Sequence, residues 1–517
     1  MVHGLGGHGD RLGVWRDDAM YAGMAESLRR GGPIVADCLP GAPGMAKYPL
    51  GFPALLALFR GAGLSWDAVL WMQALLWGIA AQVVVSGLLA RMRASRRARV
   101  AVGLVLAVNT VTFSLVPQVM SEPAFTLALV SLATLGLDPA PGRRTLVGIV
   151  ALSFALGALR GAGSLYVLAG AIVAFGAGRR ALAGALALGF GLASGLTHVQ
   201  RALTPEPPPE LEALLRYYVS YDVHTAWYGQ RWAEGGLGAV IGGVGEVART
   251  NVRLGAASLG QFLSPEAYVG TATASSGTVA MALGVALWSL ALFGAWRHAR
   301  PLGVLLLVHT AVFLVWTWPF SGRFWLPMVP VIVALATRVV DDLRAWSARM
   351  LFWPVLAFVL IGNAFVPFYA AKGRFLDAAS TPTPEEGSEE AALLVGVAAL
   401  HQRAAPGDVV VGELYVLWLA RDRGLQAVPA RDLVPFDDAL AEVMDWRAPG
   451  TDHARLSAIF AANLSTLRRL TPPSATVWLA IDPGRADEKR SWVQDATQTG
   501  QIEDVGRFGS LWLARVP

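Results

Sequence analysis

Six charged residues stand out in a chain that is 54% hydrophobic and only 15% charged: Asp17, Asp18, Lys47, Glu122, Arg160 and Arg323. Three are carboxylates and three are cations. A positioned carboxylate can take a proton from an attacking hydroxyl. Lys or Arg can stabilise negative charge that grows on a departing group. Two or three carboxylates together can hold Mg²⁺ or Mn²⁺, with phosphate oxygens completing the shell. Each residue also has a structural reading. Asp17 and Asp18 open an amphipathic stretch, "WRDDAMYAGMAESLRRGG", where the helix dipole favours acids in the first turn. Lys47, Arg160 and Arg323 flank apolar segments, where long side chains snorkel to a membrane edge.

The elements that must carry these residues are apolar. Mean hydropathy is +0.48, and the 517 residues include 18 Trp and 56 Gly. These values indicate an α-helical multi-pass membrane protein. Stretches long enough to cross, or nearly cross, about 30 Å of hydrocarbon fall at 65–90, 99–117, 121–138, 145–160, 162–178, 181–197, 272–296, 301–318, 324–340 and 350–369. About ten transmembrane helices are therefore expected. Cys38 is the sole cysteine, so neither an internal disulfide nor a Cys-rich metal site can form. The first residues lack an apolar core behind a basic start, so no cleavable signal peptide is expected.

The loops between spans alternate in charge. "RMRASRRAR" follows the first span, and Arg143–Arg144, Arg179–Arg180, Arg297–Arg300 and Arg338–Arg349 follow at every second loop. By the positive-inside rule these face the cytoplasm. The opposite face then carries all six charged residues named above, the segments 1–64 and 198–270, and everything after Tyr369. Basic residues ahead of the first span oppose export of such an N-terminus. An additional apolar stretch of about 20 residues, encoded upstream of Met1, would resolve that conflict.

Three modules follow: 1–376 in and beside the membrane, a linker at 377–390 ("DAASTPTPEEGSEE"), and 391–517. Segment 198–270 lacks a spanning stretch. Its aromatics, among them Tyr217, Tyr218, Tyr221, Trp227, Tyr228 and Trp232, suit a helix lying in the headgroup region. In the last module "GDVVVGEL", "ATVWLAI" and "GSLWLARV" read as strands, and "EEAALLVGVAALHQRA" and "HARLSAIFAANLSTLRRL" as amphipathic helices. This is a small extracytoplasmic α/β domain. Other motifs fail. "GLGGHG" has no preceding strand, no G-x-x-x-x-G-K-[ST] exists to drive transport with ATP, and the eight His show no ligand spacing. His309 and Asn109, both inside spans, read as polar residues bonding neighbouring helices.

Taken in order, the motifs resemble the GT-C membrane glycosyltransferases, which include protein O-mannosyltransferases and lipid A aminoarabinose transferases. The resemblance rests on Asp17-Asp18-Ala19-Met20-Tyr21, on Lys47-Tyr48-Pro49, and on Glu122 opening a span behind Ser121. Arg160 ending a middle span and Arg323-Phe324-Trp325-Leu326-Pro327-Met328-Val329-Pro330 complete it. It departs from the family in having Asp18 where Glu is common. The resemblance implies transfer of a sugar, with inversion, from a polyprenyl-phosphate donor to an acceptor hydroxyl on a glycan, lipid or protein. The active site and C-terminal domain would lie outside the plasma or inner membrane, and no nucleic acid would be involved. Asp17 is then the base. Asp18 or Glu122 orients the acceptor or binds Mg²⁺ or Mn²⁺, and Lys47, Arg160 and Arg323 bind the donor phosphate. A flippase of a lipid-linked glycan and a non-catalytic lipid-binding relative are the competing readings. A transporter would show internal repeats and ionisable groups at mid-membrane, whereas these charges gather at one face.

Overall fold

The structure, a computed structural model, describes residues 17–35, 44–45, 47–109, 112, 116, 119–206, 209, 222–263, 278–317, 320, 322–342, 389–412, 425–429, 453–481, 502–509 and 511–517. Two short helices, α1 (Asp17–Arg29) and α2 (Gly51–Gly61), precede a bundle. The bundle begins with α3 (Trp66–Arg91), whose last turns include a π-helical segment. It continues through α4 (Arg96–Val108), α5 (Glu122–Gly136), α6 (Arg143–Leu159), α7 (Gly161–Gly176) and α8 (Arg180–Leu203). Then come α9 (Asp222–Gly260), α10 (Thr278–His298), α11 (Arg300–Leu314), the single turn α12 (Gly322–Trp325) and α13 (Val329–Asp341). Every expected span overlaps a helix, 99–117 only as far as Val108, except 350–369, which lies outside the described residues. By length and composition, α3, α8 and α10 can each cross a membrane, while α2, α5, α7 and α11 are shorter apolar helices.

The bundle is apolar on both sides of its helices. Trp77, Phe125, Leu156 and Ile332 fill the interior. Val147, Ile172, Phe175, Leu188, Phe293 and Trp296 point outward and are exposed. A helix in water would bury one stripe and leave the other polar; a helix that is apolar all round suits lipid. The basic loops gather at one end of the bundle. There Arg91 pairs with Asp138 (3.2 Å) and Arg179 Nη1 donates to Gly136 O (2.8 Å). Ser95 N donates to Asp341 Oδ2 (2.8 Å), and Arg338 Nε donates to Met92 O (2.9 Å).

Segment 198–270 differs from the expectation of a loop with one helix lying flat. It forms α9, a helical hairpin bent at Gly235 and Gly236, where Gly236 takes φ +60°, a left-handed value that glycine adopts without strain. The first leg folds back so that Trp227 abuts Gly243. The second leg runs antiparallel along α10: a Cβ on Gly260 would lie 1.7 Å from Ala280 O, and one on Gly284 would lie 1.8 Å from Ala256 O. Small residues let the two backbones touch. Among the expected interfacial aromatics, Trp232 is exposed, Tyr228 Oη donates to Val315 O, and Tyr217, Tyr218 and Tyr221 lie outside the described residues.

The C-terminal module is a small α/β sheet. Helix α14 (Glu389–Arg403) precedes β1 (Val409–Gly412) and β2 (Gln426–Pro429); α15 (His453–Leu470) precedes β3 (Val477–Ile481), β4 (Glu503–Phe508) and β5 (Leu511–Val516). Strand order is β2-β1-β3-β5-β4. The first two pairings are parallel and the last two antiparallel. Buried Asp408 joins the elements: Oδ1 accepts from Thr476 N (2.7 Å), and Oδ2 accepts from Trp478 Nε1 (3.0 Å) and Ala405 N (2.9 Å). Residues 377–388 of the expected linker lie outside the described residues.

Candidate active site

At the end of the bundle opposite the basic loops, three of the six charged residues meet. Glu122 is the first residue of α5, with Pro123 in the first turn. Ser121 does not cap this helix. It has helical φ −68° and ψ −15°, and its buried hydroxyl makes no hydrogen bond among the described residues. Glu122 is 1% exposed, and a carboxylate so deeply buried needs a partner. It has two. Arg160 Nη1 lies 2.6 Å from Oε1, and Arg323 Nε donates to the same oxygen at 2.7 Å. Both guanidiniums are largely buried. The formal charges of the three groups sum to +1.

Each arginine is aimed by a break in helix. Arg160 ends α6 and precedes α7 in extended conformation, φ −152° and ψ 139°. Its guanidinium lies 5.9 Å from the Phe125 ring centroid. Arg323 sits on α12, ahead of the turn that carries Leu326 and Met328 into α13, with Pro330 in the first turn of that helix. Asn251 of α9 fixes this segment. Its Nδ2 donates to Phe313 O (3.0 Å) and Trp316 O (2.7 Å), and its Oδ1 accepts from Phe320 N (3.1 Å). Trp325 Nε1 adds a hydrogen bond to Gly255 O (2.7 Å).

Helix α1 is brought to the same place. Tyr21 lies within electrostatic reach of Arg160. Its ring meets Tyr48 edge-on at 5.2 Å and Phe52 at 4.9 Å. These contacts link the Asp17–Tyr21 stretch to the Lys47–Pro49 stretch. Lys47 is 7% exposed, with Nζ 5.6 Å from the Tyr48 ring centroid. Asp17 and Asp18 open α1; their side chains lie outside the described ones. Further along α1, Glu26 accepts from Arg29 (2.7 Å) and from Arg60 of α2 (2.8 Å). Burial pushes the Glu26 carboxyl up, but these two cations outweigh it and hold it below its ordinary value.

Beneath Arg160, Tyr166 Oη and His309 Nδ1 are 2.6 Å apart, ringed by Phe313, Phe320 and Trp325. His309 thus joins α11 to α7, as a buried polar residue in a span is expected to do. Asn109 joins α4 to the end of α9, donating to Phe262 O (2.6 Å). A metal fits poorly at Glu122. Two guanidiniums share its Oε1, while Oε2 has no hydrogen-bond partner among the described residues, and no group of three or more His, Cys, Asp or Glu gathers among the described residues.

Comparison with solved structures finds that this fold, a bundle of apolar helices followed by a small α/β domain, is similar to that of membrane glycosyltransferases. The structure of ArnT, a lipid A aminoarabinose transferase, from Cupriavidus metallidurans bound to undecaprenyl phosphate aligns over 96% of this chain and 93% of that one. The TM-score is 0.54 and the identity 14%. The same protein in its apo state aligns over the same shares with TM-score 0.50 and 14% identity. The oligosaccharyltransferase AglB from Archaeoglobus fulgidus, in complex with an inhibitory peptide and a dolichol-phosphate, aligns at TM-score 0.47 and 13% identity, over 94% of this chain and 67% of that one. The sequence matches no protein-family model and no curated protein.

Two site-supporting residues escape sequence reasoning. Asn251 and Gln200 both lie in 198–270, read as a loop, and an isolated amide in a polar stretch carries no motif. The acidic and basic residues were findable because charge beside an apolar span is costly and therefore conspicuous.

Proposed function

We propose that the chain is an integral membrane glycosyltransferase that moves a sugar from a polyprenyl-phosphate donor to an acceptor hydroxyl on the extracytoplasmic face, with inversion. The observation that carries this reading is the convergence of Arg160 and Arg323 on buried Glu122, beside the helix that begins Asp17-Asp18. Two arginines held by one carboxylate present fixed donors with surplus positive charge, suited to a phosphate monoester. Lys47 adds a third cation. Asp17 accepts the proton of the acceptor hydroxyl as its oxygen attacks the anomeric carbon. The bond from that carbon to the phosphate oxygen breaks, and polyprenyl phosphate leaves with the electron pair and the negative charge. The cations stabilise that growing charge. Asp18 orients the acceptor. Glu122 holds the two arginines through its Oε1. An apolar cavity between α5, α6, α7, α8 and α11, lined by Leu132, Leu156, Tyr166, Val173, Leu182 and Leu305, runs from Tyr166 toward Gly136 and Arg179 at the basic-loop end, and its lining suits a polyprenyl tail.

The test is genetic and chemical. Cells lacking the gene are expected to lose one envelope glycan modification. Wild-type protein restores it, and Asp17→Asn does not. A deletion strain whose envelope glycans and glycolipids are all unchanged by mass spectrometry would refute the assignment.

A further inference from the structure

Lys47 lies in a stretch between Gly44 and Leu50 whose described residues belong to no helix or sheet apart from one isolated β-bridge at Gly44. Such a stretch must satisfy its backbone groups some other way or leave them to water. Gln200, on the last turn of α8 and 2% exposed, meets three of them. Its Nε2 donates to Met45 O (3.0 Å) and Tyr48 O (2.7 Å), and its Oε1 accepts from Leu50 N (3.1 Å). These groups bracket Lys47 on both sides. The stretch is also pressed against the end of α8: a Cβ on Gly44 would lie 2.1 Å from Pro205 O.

We infer that Gln200 is a positioning residue for Lys47: one buried amide, 150 residues away in the chain, fixes the loop that presents Lys47 to the donor phosphate. Gln200 itself touches neither donor nor acceptor. The inference rests on the reading of Lys47 as a phosphate contact. The side-chain type is specific to the task. Three backbone groups of mixed polarity, two acceptors and one donor, need a partner that both donates and accepts. Glutamate cannot donate when ionised, lysine cannot accept, and leucine can do neither.

The experiment is a double-mutant cycle on the full-length protein in lipid nanodiscs, with undecaprenyl phosphate as the probe. Gln200→Leu removes three hydrogen bonds at similar volume and is expected to weaken binding roughly tenfold. Lys47→Ala is expected to weaken it by at least as much. The double variant is expected to bind within about twofold of Lys47→Ala alone, because both changes act through one contact. In parallel, trypsin should cleave after Lys47 in Gln200→Leu and spare the wild type. If Gln200→Leu is not recovered from membranes, Gln200→Glu replaces it, keeping the acceptor for Leu50 N and losing both donors. Losses that add in full, or a Gln200 variant that binds like wild type, would overturn the inference. A Lys47→Ala variant that binds like wild type would overturn the phosphate reading instead, and with it the inference; loop release by trypsin in Gln200→Leu would show that the anchor exists but does not serve binding.

Discussion

Replacing Glu122 with Gln removes one charge at nearly constant shape. Glu122 is 1% exposed and its Oε1 takes Arg160 at 2.6 Å and Arg323 at 2.7 Å. The amide can still accept a hydrogen bond, but two buried guanidiniums then face each other with no carboxylate between them. Breaking a buried ion pair by removing one partner costs about 3–5 kcal/mol. At about 2 °C per kcal/mol, the low end for large domains, the detergent-solubilised variant should unfold roughly 6–10 °C below wild type. A catalytic carboxylate predicts the opposite pattern: lost activity with unchanged melting. The companion variant sharpens the test. Arg160→Met leaves Glu122 and Arg323 as a balanced pair and should cost less. Combined with Glu122→Gln, it removes one of the two uncompensated cations and should recover part of the lost stability. Melting is read by fluorescence of the tryptophans, and polyprenyl-phosphate binding by the same samples at fixed lipid. Glu122→Gln unfolding within about 1 °C of wild type would refute the anchoring role and return Glu122 to the list of residues acting on substrate.

Three further outcomes are expected. Asp17→Asn should reduce sugar transfer by about 100-fold or more with membrane abundance unchanged; a residual rate above roughly a tenth of wild type is incompatible with a general base. In a protein whose Cys38 has been replaced, Ser388→Cys should react with a membrane-impermeant maleimide in intact cells and Ser95→Cys should not, and the reverse pattern would invert the assignment of sides. The Glu26 carboxyl is held below its ordinary value of 4.5 by Arg60 and Arg29, against the opposing effect of burial. A depressed carboxyl stabilises the fold above its unfolded value and loses that contribution as pH falls through the folded value. The melting difference between wild type and Glu26→Gln should therefore be full near neutrality and narrow below about pH 4.5, and a difference independent of pH would remove Glu26 as the ionic link between α1 and α2.

The spans and the C-terminal strands were legible because each carries a strong periodic signal. "LWMQALLWGIAA" can be little else than a membrane-crossing helix, and "GDVVVGEL" is a buried strand, with Val409, Val410 and Val411 all fully buried. Strands β2 and β4 were missed: "QAVP" is too short to show a period, and "EDVGRF" is largely exposed on the sheet edge. The second leg of α9 was missed for a different reason. It carries Glu246, Arg249 and Arg253 within "GEVARTNVRLGAASLG", which lowers its hydropathy below that of a span. Yet its small residues fit α10 closely. Packing between helices depends on where Gly and Ala fall, and a hydropathy window cannot register that. Among the site residues, Glu122, Arg160 and Arg323 could be named from sequence, but their junction could not, because 201 residues separate Glu122 from Arg323.

The two amides in segment 198–270 suggest why a long segment between spans is worth keeping. Gln200 holds the stretch bearing Lys47, and Asn251 holds the stretch bearing Arg323. Most of the groups these amides meet lie outside the helices, beside a membrane, where an unpaired peptide group costs several kcal/mol. Extending the flanking helices would satisfy those groups, but it would also turn the cations along the helix face and away from the junction. A charged side chain could satisfy some of them, but it would alter the field at the junction of Arg160, Arg323 and Glu122. A neutral amide does neither. It donates and accepts in one plane, leaves the local charge to Arg160, Arg323, Lys47 and the acids, and frees the backbone to bend where each cation must turn. The chemistry of the site thus resides in its charged residues, and their aim resides in uncharged ones drawn from a part of the chain that carries no motif at all.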